Sequence, residues 1–134
     1  MKVVVLCASK SDEPIAQQAV DVLKENSIPH ELEFGSAHRE PEKVREIVKI
    51  SNADIFITIA GLSAALPGFV ASLTDKPVIG VPVNASNSVA GGLDALLAIS
   101  QMPPGVPVAT VGINNAKNAA HLAIRILKLK GDVK

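Results

Sequence analysis

Short apolar runs alternate with segments of helical periodicity along the whole chain, and this alternation constrains the fold more than any other feature. The first run, Val3 to Cys7, is continuously apolar, as expected of a strand that is covered on both faces. Four more runs follow, and a segment with helical periodicity comes after each of the five. The predicted strands cover residues 3–7, 30–34, 54–59, 78–83 and 107–111, and the predicted helices cover residues 14–26, 40–50, 66–73, 91–100 and 116–129.

Five β-α units in succession predict an all-parallel sheet with right-handed crossovers and helices on both faces. The second strand, His30 to Phe34, alternates polar and apolar residues, which is typical of a sheet edge, whereas the first and third look buried. These features favour a three-layer α/β fold, a flavodoxin-like doubly wound sheet with strand order 2-1-3-4-5. With 134 residues and neither repeat nor linker, we expect one α/β domain over residues 1–134.

The composition excludes several classes of function. Thirteen basic and thirteen acidic residues cancel, and Trp and Tyr are absent, so the charge and stacking features of a nucleic-acid binder are missing. The apolar runs are too short to span a bilayer, which argues against a membrane partner. A single Cys excludes an internal disulfide, and Lys2 leads straight into a strand without a signal peptide, so we expect a cytoplasmic protein.

The chain is also unusually apolar for its size. It is 48% hydrophobic and 19% charged, whereas typical soluble domains contain about 25% charged residues. A small domain with this balance is expected to cover part of its surface with other subunits. We therefore predict a homo-oligomer.

Three segments, residues 8–12, 35–39 and 60–68, lie at the ends of predicted strands and hold the candidate site residues. In a doubly wound fold, the loops that leave the carboxyl ends of neighbouring strands meet in one crevice. Hydroxyl groups, an Arg and a helix N-terminus suit phosphate binding, and His transfers protons near neutral pH. We therefore predict a site for a small phosphorylated molecule. The candidate residues are Ser9, Ser11, Asp12, Ser36, His38, Arg39 and the turn Gly61, Leu62, Ser63, Ala64, Ala65 and Leu66.

Each of these segments also has a purely structural interpretation. Ser and Asp residues between a strand and a helix are common helix caps, and the His38-Arg39 pair could be a solvated helix start. The turn from Gly61 to Gly68 could simply be a tight connection, although its small residues would let main-chain amides approach a ligand. Cys7 is more typical of a core residue than of a nucleophile. No His, Cys and carboxylate cluster has metal-ligand spacing, so no metal is predicted.

At these same residues the chain resembles the enzymes that form carboxyaminoimidazole ribonucleotide in purine biosynthesis. This family contains the N5-carboxyaminoimidazole ribonucleotide mutases and the related aminoimidazole ribonucleotide carboxylases. The resemblance extends from Val3 to about Leu129. Its motifs are S-K-S-D at residues 9–12, S-A-H-R at 36–39, L-P-G at 66–68, P-V-I-G-V-P-V at 77–83, G-L-D-A-L-L at 92–97 and Q-M-P-P-G-V-P-V-A-T-V at 101–111.

The resemblance implies a flavodoxin-like fold, a homo-octamer, and a reaction in which carbon dioxide leaves a ring substituent and is captured by ring carbon 4. It implies that His38 is the general acid and base. It makes Asp12 a ligand of the ribose, and the turn from Gly61 to Leu66 the chamber that confines carbon dioxide. No metal or cofactor is implied. The implied phosphate ligands are Ser9, Ser11, Ser36 and Arg39.

Two positions depart from the mutase pattern. Ala8 stands where mutases usually have Gly, and Ala65 stands where they carry His. Carboxylases that use free carbon dioxide lack this His and have a similar loop, but they typically place Lys at the position of Arg39. The overall similarity favours the mutase. A direct carboxylase and a nucleotide-binding paralogue without turnover are the alternatives.

Two other classes share the predicted topology. A receiver domain needs a phosphorylatable Asp at the end of the third strand, where this chain has Ile59, Ala60 and Gly61. A flavin carrier normally needs aromatic rings beside the flavin, and the chain has no Trp or Tyr. Both classes are therefore disfavoured.

Overall fold

The computed structural model of the chain describes residues 1–131 and 133, so residues 132 and 134, at the end of the predicted domain, lie outside the described residues. The strands are β1 (Val3–Cys7), β2 (His30–Phe34), β3 (Ile55–Gly61), β4 (Val78–Val83) and β5 (Ala109–Thr110). The helices are α1 (Glu13–Glu25), α2 (Pro41–Ile50), α3 (Leu66–Leu73), α4 (Leu93–Ser100) and α5 (Ala116–Lys130). All strand pairs are parallel and the order is β2-β1-β3-β4-β5, which confirms the predicted fold class and topology.

The sheet separates two apolar cores, because successive side chains of a strand point to opposite faces. On one face, Val3 and Val5 of β1 pack in a core with buried residues of α1 and α5. On the other face, Val4 and Leu6 share a core with buried residues of α2, α3 and α4. The buried central strands β1, β3 and β4 and the partly exposed edge strand β2 agree with the sequence patterns.

The register of the sheet brings three strand ends together. Cys7, the last residue of β1, pairs with Phe34 of β2 on one side and with Ile59 of β3 on the other. The connections that leave β1 and β2 therefore start at the same level, and β3 continues two residues further to Gly61. The sheet thus places the three candidate segments side by side.

Two elements are shorter than the sequence predicts by two residues or more. The last strand, predicted over residues 107–111, pairs with β4 only at Ala109 and Thr110. The fourth helix, predicted from Gly91, begins at Leu93, because Gly91 and Gly92 have φ values of 69° and 101°. These left-handed conformations suit glycine and cannot belong to an α-helix. Among the described residues, no helix is both long and apolar enough to cross a bilayer.

An ion-pair cluster around Asp54 ties the amino ends of β1 and β3 to the last turn of α5. The backbone N–H of Lys2 donates to Asp54 Oδ2 at 2.8 Å, and Lys130 Nζ donates to Asp54 Oδ1 at 2.7 Å. The hydrogen bond from Lys130 is the main cause that lowers the pKa of Asp54. Because this pKa is lowered in the folded state, the carboxylate adds stability above its unfolded pKa, and this contribution disappears as the pH falls through the folded pKa.

We expect Asp54→Asn to lower the free energy of unfolding by about 1 kcal/mol at neutral pH, because the hydrogen bonds from Lys2 N–H and Lys130 Nζ lose a charged acceptor. The difference from wild type should shrink as the pH falls below the unfolded pKa of about 3.9. Urea unfolding over a series of pH values measures both effects. Asp75→Asn, in an exposed turn before β4, is the matched control and should change little. A deficit of Asp54→Asn that stays constant into acid would contradict this account.

Candidate functional site

A cavity of about 320 Å³ lies over the carboxyl ends of β1, β2 and β3. In a doubly wound sheet, this is the position where ligands bind, because the chain connections diverge there between β1 and β3. All twelve predicted site residues line it. The lining consists of Ala8, Ser9, Ser11, Asp12, Ser36, Ala37, His38, Arg39, Ala60, Gly61, Leu62, Ser63, Ala64, Ala65, Leu66 and Ala85.

Ser9, Ser11 and Asp12 form the wall that follows β1. The Ser9 and Ser11 hydroxyl oxygens lie 2.8 Å apart and share one hydrogen bond, and Ser9 Oγ also accepts from the backbone N–H of Ser11 at 3.3 Å. Ser9 therefore caps the short 3₁₀ turn Lys10–Asp12, as the structural interpretation of this motif predicts. Two hydroxyls that share one hydrogen bond still have one O–H free, which can point to an anion in the cavity.

Ser36 fixes the turn that presents His38 and Arg39. Its hydroxyl accepts from the backbone N–H of Arg39 at 3.2 Å, and its carbonyl accepts from the N–H of Glu40 at 2.8 Å. Ser36 is buried, whereas the side chains of His38 and Arg39 are exposed beside the cavity. The turn thus combines a rigid backbone with an imidazole and a guanidinium that a ligand can reach.

The turn after β3 forms the apolar wall of the cavity. The backbone N–H of Ala64 donates to the carbonyl of Gly61 at 2.9 Å and closes the turn. Leu62 and Ala64 have φ values of 56° and 33°, in the left-handed region that side chains other than glycine rarely adopt. Such conformations concentrate at functional sites, where the surrounding structure holds them. Leu66 then starts α3 and is buried.

Burial shifts the pKa of two groups near this cavity. It raises the pKa of Asp12, and its carboxylate has no hydrogen-bond partner among the described residues. Burial also raises the pKa of the Cys7 thiol to about 11, and the Cys7 S–H donates to the Ser9 carbonyl with Sγ at 3.2 Å from the oxygen. The thiol is therefore protonated at neutral pH, as a core residue would be, and lacks the thiolate that a nucleophile needs.

Ala85 is the one residue of the lining that lies outside the three predicted segments. It belongs to the connection after β4. Its backbone N–H already donates to Ser88 Oγ at 2.7 Å and is therefore not free to bind a ligand. A methyl side chain carries no chemical signal, so its position can be recognised only from the sheet order. Within residues 1–131 and 133, no group of three His, Cys, Asp or Glu side chains could hold a metal ion.

A second, larger groove of about 1040 Å³ lies at the opposite, amino ends of β4 and β5. Residues 71–79 and 105–109 contribute most of its lining. It contains none of the predicted site residues. The smaller cavity is the better candidate because only there do an imidazole, a guanidinium, a carboxylate and several hydroxyls meet.

The sheet and the cavity define an α/β protein with a cavity at the switch point of a doubly wound sheet, and the residues that line this cavity suit a small anionic molecule. A model of the AIR carboxylase family matches residues 2–133. The chain belongs to this family.

Individual relatives agree with this assignment. The N5-carboxyaminoimidazole ribonucleotide mutase of Methanocaldococcus jannaschii is 59% identical over 128 residues, which cover 96% of this chain and 80% of that protein. The enzyme of the same name from Aquifex aeolicus is 50% identical over 129 residues, 94% of this chain and 76% of that protein. The crystal structure of Treponema denticola PurE superimposes with a TM-score of 0.85 at 34% identity, covering 96% of this chain and 80% of that one.

Proposed function

We propose that this protein acts in purine biosynthesis as an N5-carboxyaminoimidazole ribonucleotide mutase, an isomerase. One observation carries the proposal: every residue to which the sequence resemblance gives a role lines the same cavity. The relatives at 59% and 50% identity that bear this name support the choice of reaction. The reaction moves a carboxyl group from the exocyclic nitrogen of the substrate to ring carbon 4.

The proposed chemistry has two steps. The bond between the nitrogen and the carboxyl carbon breaks, its electron pair stays on the nitrogen, and the nitrogen takes a proton while carbon dioxide leaves. Ring carbon 4 then attacks the carbon dioxide, and the proton on that carbon leaves to restore aromaticity. His38 is the group in the lining best suited to deliver the first proton and to accept the second.

The other wall residues would hold the substrate. Arg39, Ser9, Ser11 and Ser36 all line the cavity and suit a phosphate, because charged and hydroxyl donors form strong hydrogen bonds to its oxygens. The Asp12 carboxylate would accept hydrogen bonds from the ribose hydroxyls. The small apolar turn from Gly61 to Leu66 would keep carbon dioxide close to ring carbon 4, so that capture becomes effectively intramolecular. These steps need neither a metal nor a cofactor.

Two assays test the function. The purified protein is supplied either with N5-carboxyaminoimidazole ribonucleotide or with aminoimidazole ribonucleotide plus bicarbonate. A mutase produces carboxyaminoimidazole ribonucleotide much faster from the first, whereas a direct carboxylase, a lyase, uses the second. The Ala65 position motivates the second assay because carboxylases also lack His there. Turnover of neither substrate at high protein concentration would indicate a paralogue that only binds nucleotides.

The outer face of α4 suggests how subunits would meet in the proposed homo-oligomer, which the resemblance makes an octamer. Leu93 and Leu97 are exposed and lie one helical turn apart on the same face, while Ala95 and Ile99 are buried against the sheet. These two leucines therefore face away from the core of their own chain. A cytoplasmic location remains a prediction from the sequence.

We expect Leu97→Asp to dissociate the oligomer, because a carboxylate in an apolar interface loses its hydration without gaining a partner. Light scattering should show wild type near the mass of eight chains of 13.9 kDa, and the variant at a smaller mass. Leu129→Asp, at an exposed position near the end of α5, is the control and should keep the wild-type mass. A Leu97→Asp protein with the wild-type mass would exclude this face as the interface.

A further inference from the structure

Leu62 combines two unusual properties at the cavity. Leu62 is 44% exposed, and among the large exposed apolar residues that the structure describes it is the one that lines this cavity. The others, Met1, Ile50, Val89, Leu93, Leu97, Ile113 and Leu129, lie elsewhere. A residue that faces both the solvent and the cavity must belong to the rim of the opening.

The backbone of Leu62 has an unfavourable conformation. Gly61 still pairs with Val83 in the sheet, so Leu62 is the first residue beyond it, and the hydrogen bond from Ala64 to Gly61 fixes the turn. Leu62 has a φ of 56°, which is unfavourable for a residue with a branched side chain and favourable for glycine. Leucine at this position therefore costs conformational energy that glycine would avoid, and packing in its own core does not compensate for it.

The proposed reaction releases carbon dioxide inside the cavity, and an apolar side chain such as that of Leu62 can help to retain it. Carbon dioxide is small, neutral and apolar, so the charged groups of the cavity cannot hold it by ion pairing. It is retained only if the cavity is closed to water while the nucleotide is bound. Beside Ser63, the wall near Leu62 already contains the apolar residues Ala64, Ala65 and Leu66, and an isobutyl group at the rim would extend this apolar surface to the opening.

We propose that the Leu62 side chain seals the opening of the cavity over the bound nucleotide, and thereby decides whether released carbon dioxide is captured by ring carbon 4 or lost to the solvent. Leu62 is thus a retention residue that takes no part in the proton transfers. This inference rests on the proposed mutase function. It assigns the fate of carbon dioxide to one side chain, in addition to the confining backbone of the turn.

The test measures how the product is partitioned in Leu62→Ala. The protein is given N5-carboxyaminoimidazole ribonucleotide in a medium with isotopically labelled bicarbonate, and the uncatalysed background is subtracted. The readout is the fate of each carboxyl group released, so every product is expressed per mole of substrate consumed, whatever the rate of consumption. The fraction that ends as aminoimidazole ribonucleotide should rise at least about threefold, and the carboxylated product should gain label, because capture is no longer effectively intramolecular.

Three further variants isolate the seal. Leu62→Met keeps an apolar side chain of similar volume and should restore the wild-type partition. Leu62→Gly removes the side chain and relieves the left-handed backbone, so it should leak as Leu62→Ala does while its thermal stability is equal to or higher than that of wild type. Leu129→Ala makes the same truncation at an exposed position outside the cavity and should change nothing.

The outcomes separate the two proposals. A wild-type protein that does not convert N5-carboxyaminoimidazole ribonucleotide would overturn the proposed function itself. A working wild type whose Leu62→Ala and Leu62→Gly variants partition and exchange label as it does would overturn only the seal. The seal would also be overturned if both variants stopped consuming substrate, because Leu62 would then be needed for the chemistry and not for retention.

Discussion

Replacing His38 with Asn should lower kcat for N5-carboxyaminoimidazole ribonucleotide by about 10²–10⁴-fold, the range that a general acid and base contributes. Asn keeps polar atoms near the positions of the imidazole nitrogens but cannot exchange a proton near neutral pH. The side chain of His38 is exposed beside the cavity and makes no packing contribution to either apolar core. Folding, assembly and nucleotide affinity should therefore change little.

Steady-state kinetics gives the loss in kcat, and calorimetric titration with aminoimidazole ribonucleotide gives the affinity without turnover. His121→Asn is the matched control, because His121 lies on the exposed face of α5. It should keep both quantities at the wild-type level. If the His38 variant retained kcat within about threefold of wild type, the acid and base role would have to be assigned to another group.

The topology could be predicted because the three central strands are buried on both faces and are therefore apolar along almost their whole length, with Thr58 as the polar exception. β1 and β4 match their predicted bounds, and the alternating sequence of β2 correctly marks it as an edge. The predicted third strand ends at Ile59, two residues before the observed end of β3. Ala60 and Gly61 continue the ladder opposite Pro82 and Val83, which a pattern that ends at small residues does not indicate.

The length of β5 could not be predicted from its own residues. Five apolar or β-branched residues favour a strand, but pairing depends on what the neighbouring strand offers. Pro107 has no N–H for the ladder. In β4, the carbonyl of Pro82 accepts from the backbone N–H of Asn114 at 2.7 Å, so the backbone of Pro82 faces the β5 side of the sheet. Because Pro82 has no N–H, it cannot donate a ladder hydrogen bond there. Two residues are left that pair fully with β4.

The residues that line the candidate site could be predicted from one rule, that loops at the carboxyl ends of neighbouring strands meet. The local structure of those loops did not follow from the sequence. Leu62 and Ala64 are not residues that propensity would place at positive φ, and Ala85 enters the cavity only because β4 lies beside β3. Tertiary contacts therefore decide the shape of the wall, whereas residue types decide its chemistry.

Replacing Asp12 with Asn should weaken nucleotide binding by about 10–100-fold, because a carboxylate that accepts ribose hydrogen bonds contributes about 1.5–3 kcal/mol. The same change should leave the protein as stable as wild type or more so. The Asp12 side chain makes no capping hydrogen bond to α1, so its replacement removes none. Its ionised form is also disfavoured by burial, which raises its pKa.

Ionisation of Asp12 should lower the stability of the protein and raise its affinity for the nucleotide, so the two quantities depend on pH in opposite directions. Because the pKa of Asp12 is raised in the folded state, the ionised group opposes folding above that pKa, and the penalty shrinks as the pH falls from there and is gone below the unfolded pKa. Wild type and Asp12→Asn should therefore differ most in stability near neutral pH and converge in acid. Binding behaves in the reverse way, since protonation removes the acceptor that the ribose needs. As the pH falls, the affinity of wild type should approach that of the variant.

Comparing the two proteins at each pH removes the contribution of the phosphate, whose own protonation affects both equally. Thermal unfolding and calorimetric titration with aminoimidazole ribonucleotide provide the two quantities. Glu13→Gln, at the exposed start of α1 next to Asp12, is the control and should follow wild type in binding. If Asp12→Asn bound nucleotide as tightly as wild type at neutral pH, the ribose would be held elsewhere. The raised pKa would then reflect burial beside the cavity and no ligand role, because burial alone produces this shift in any carboxyl group.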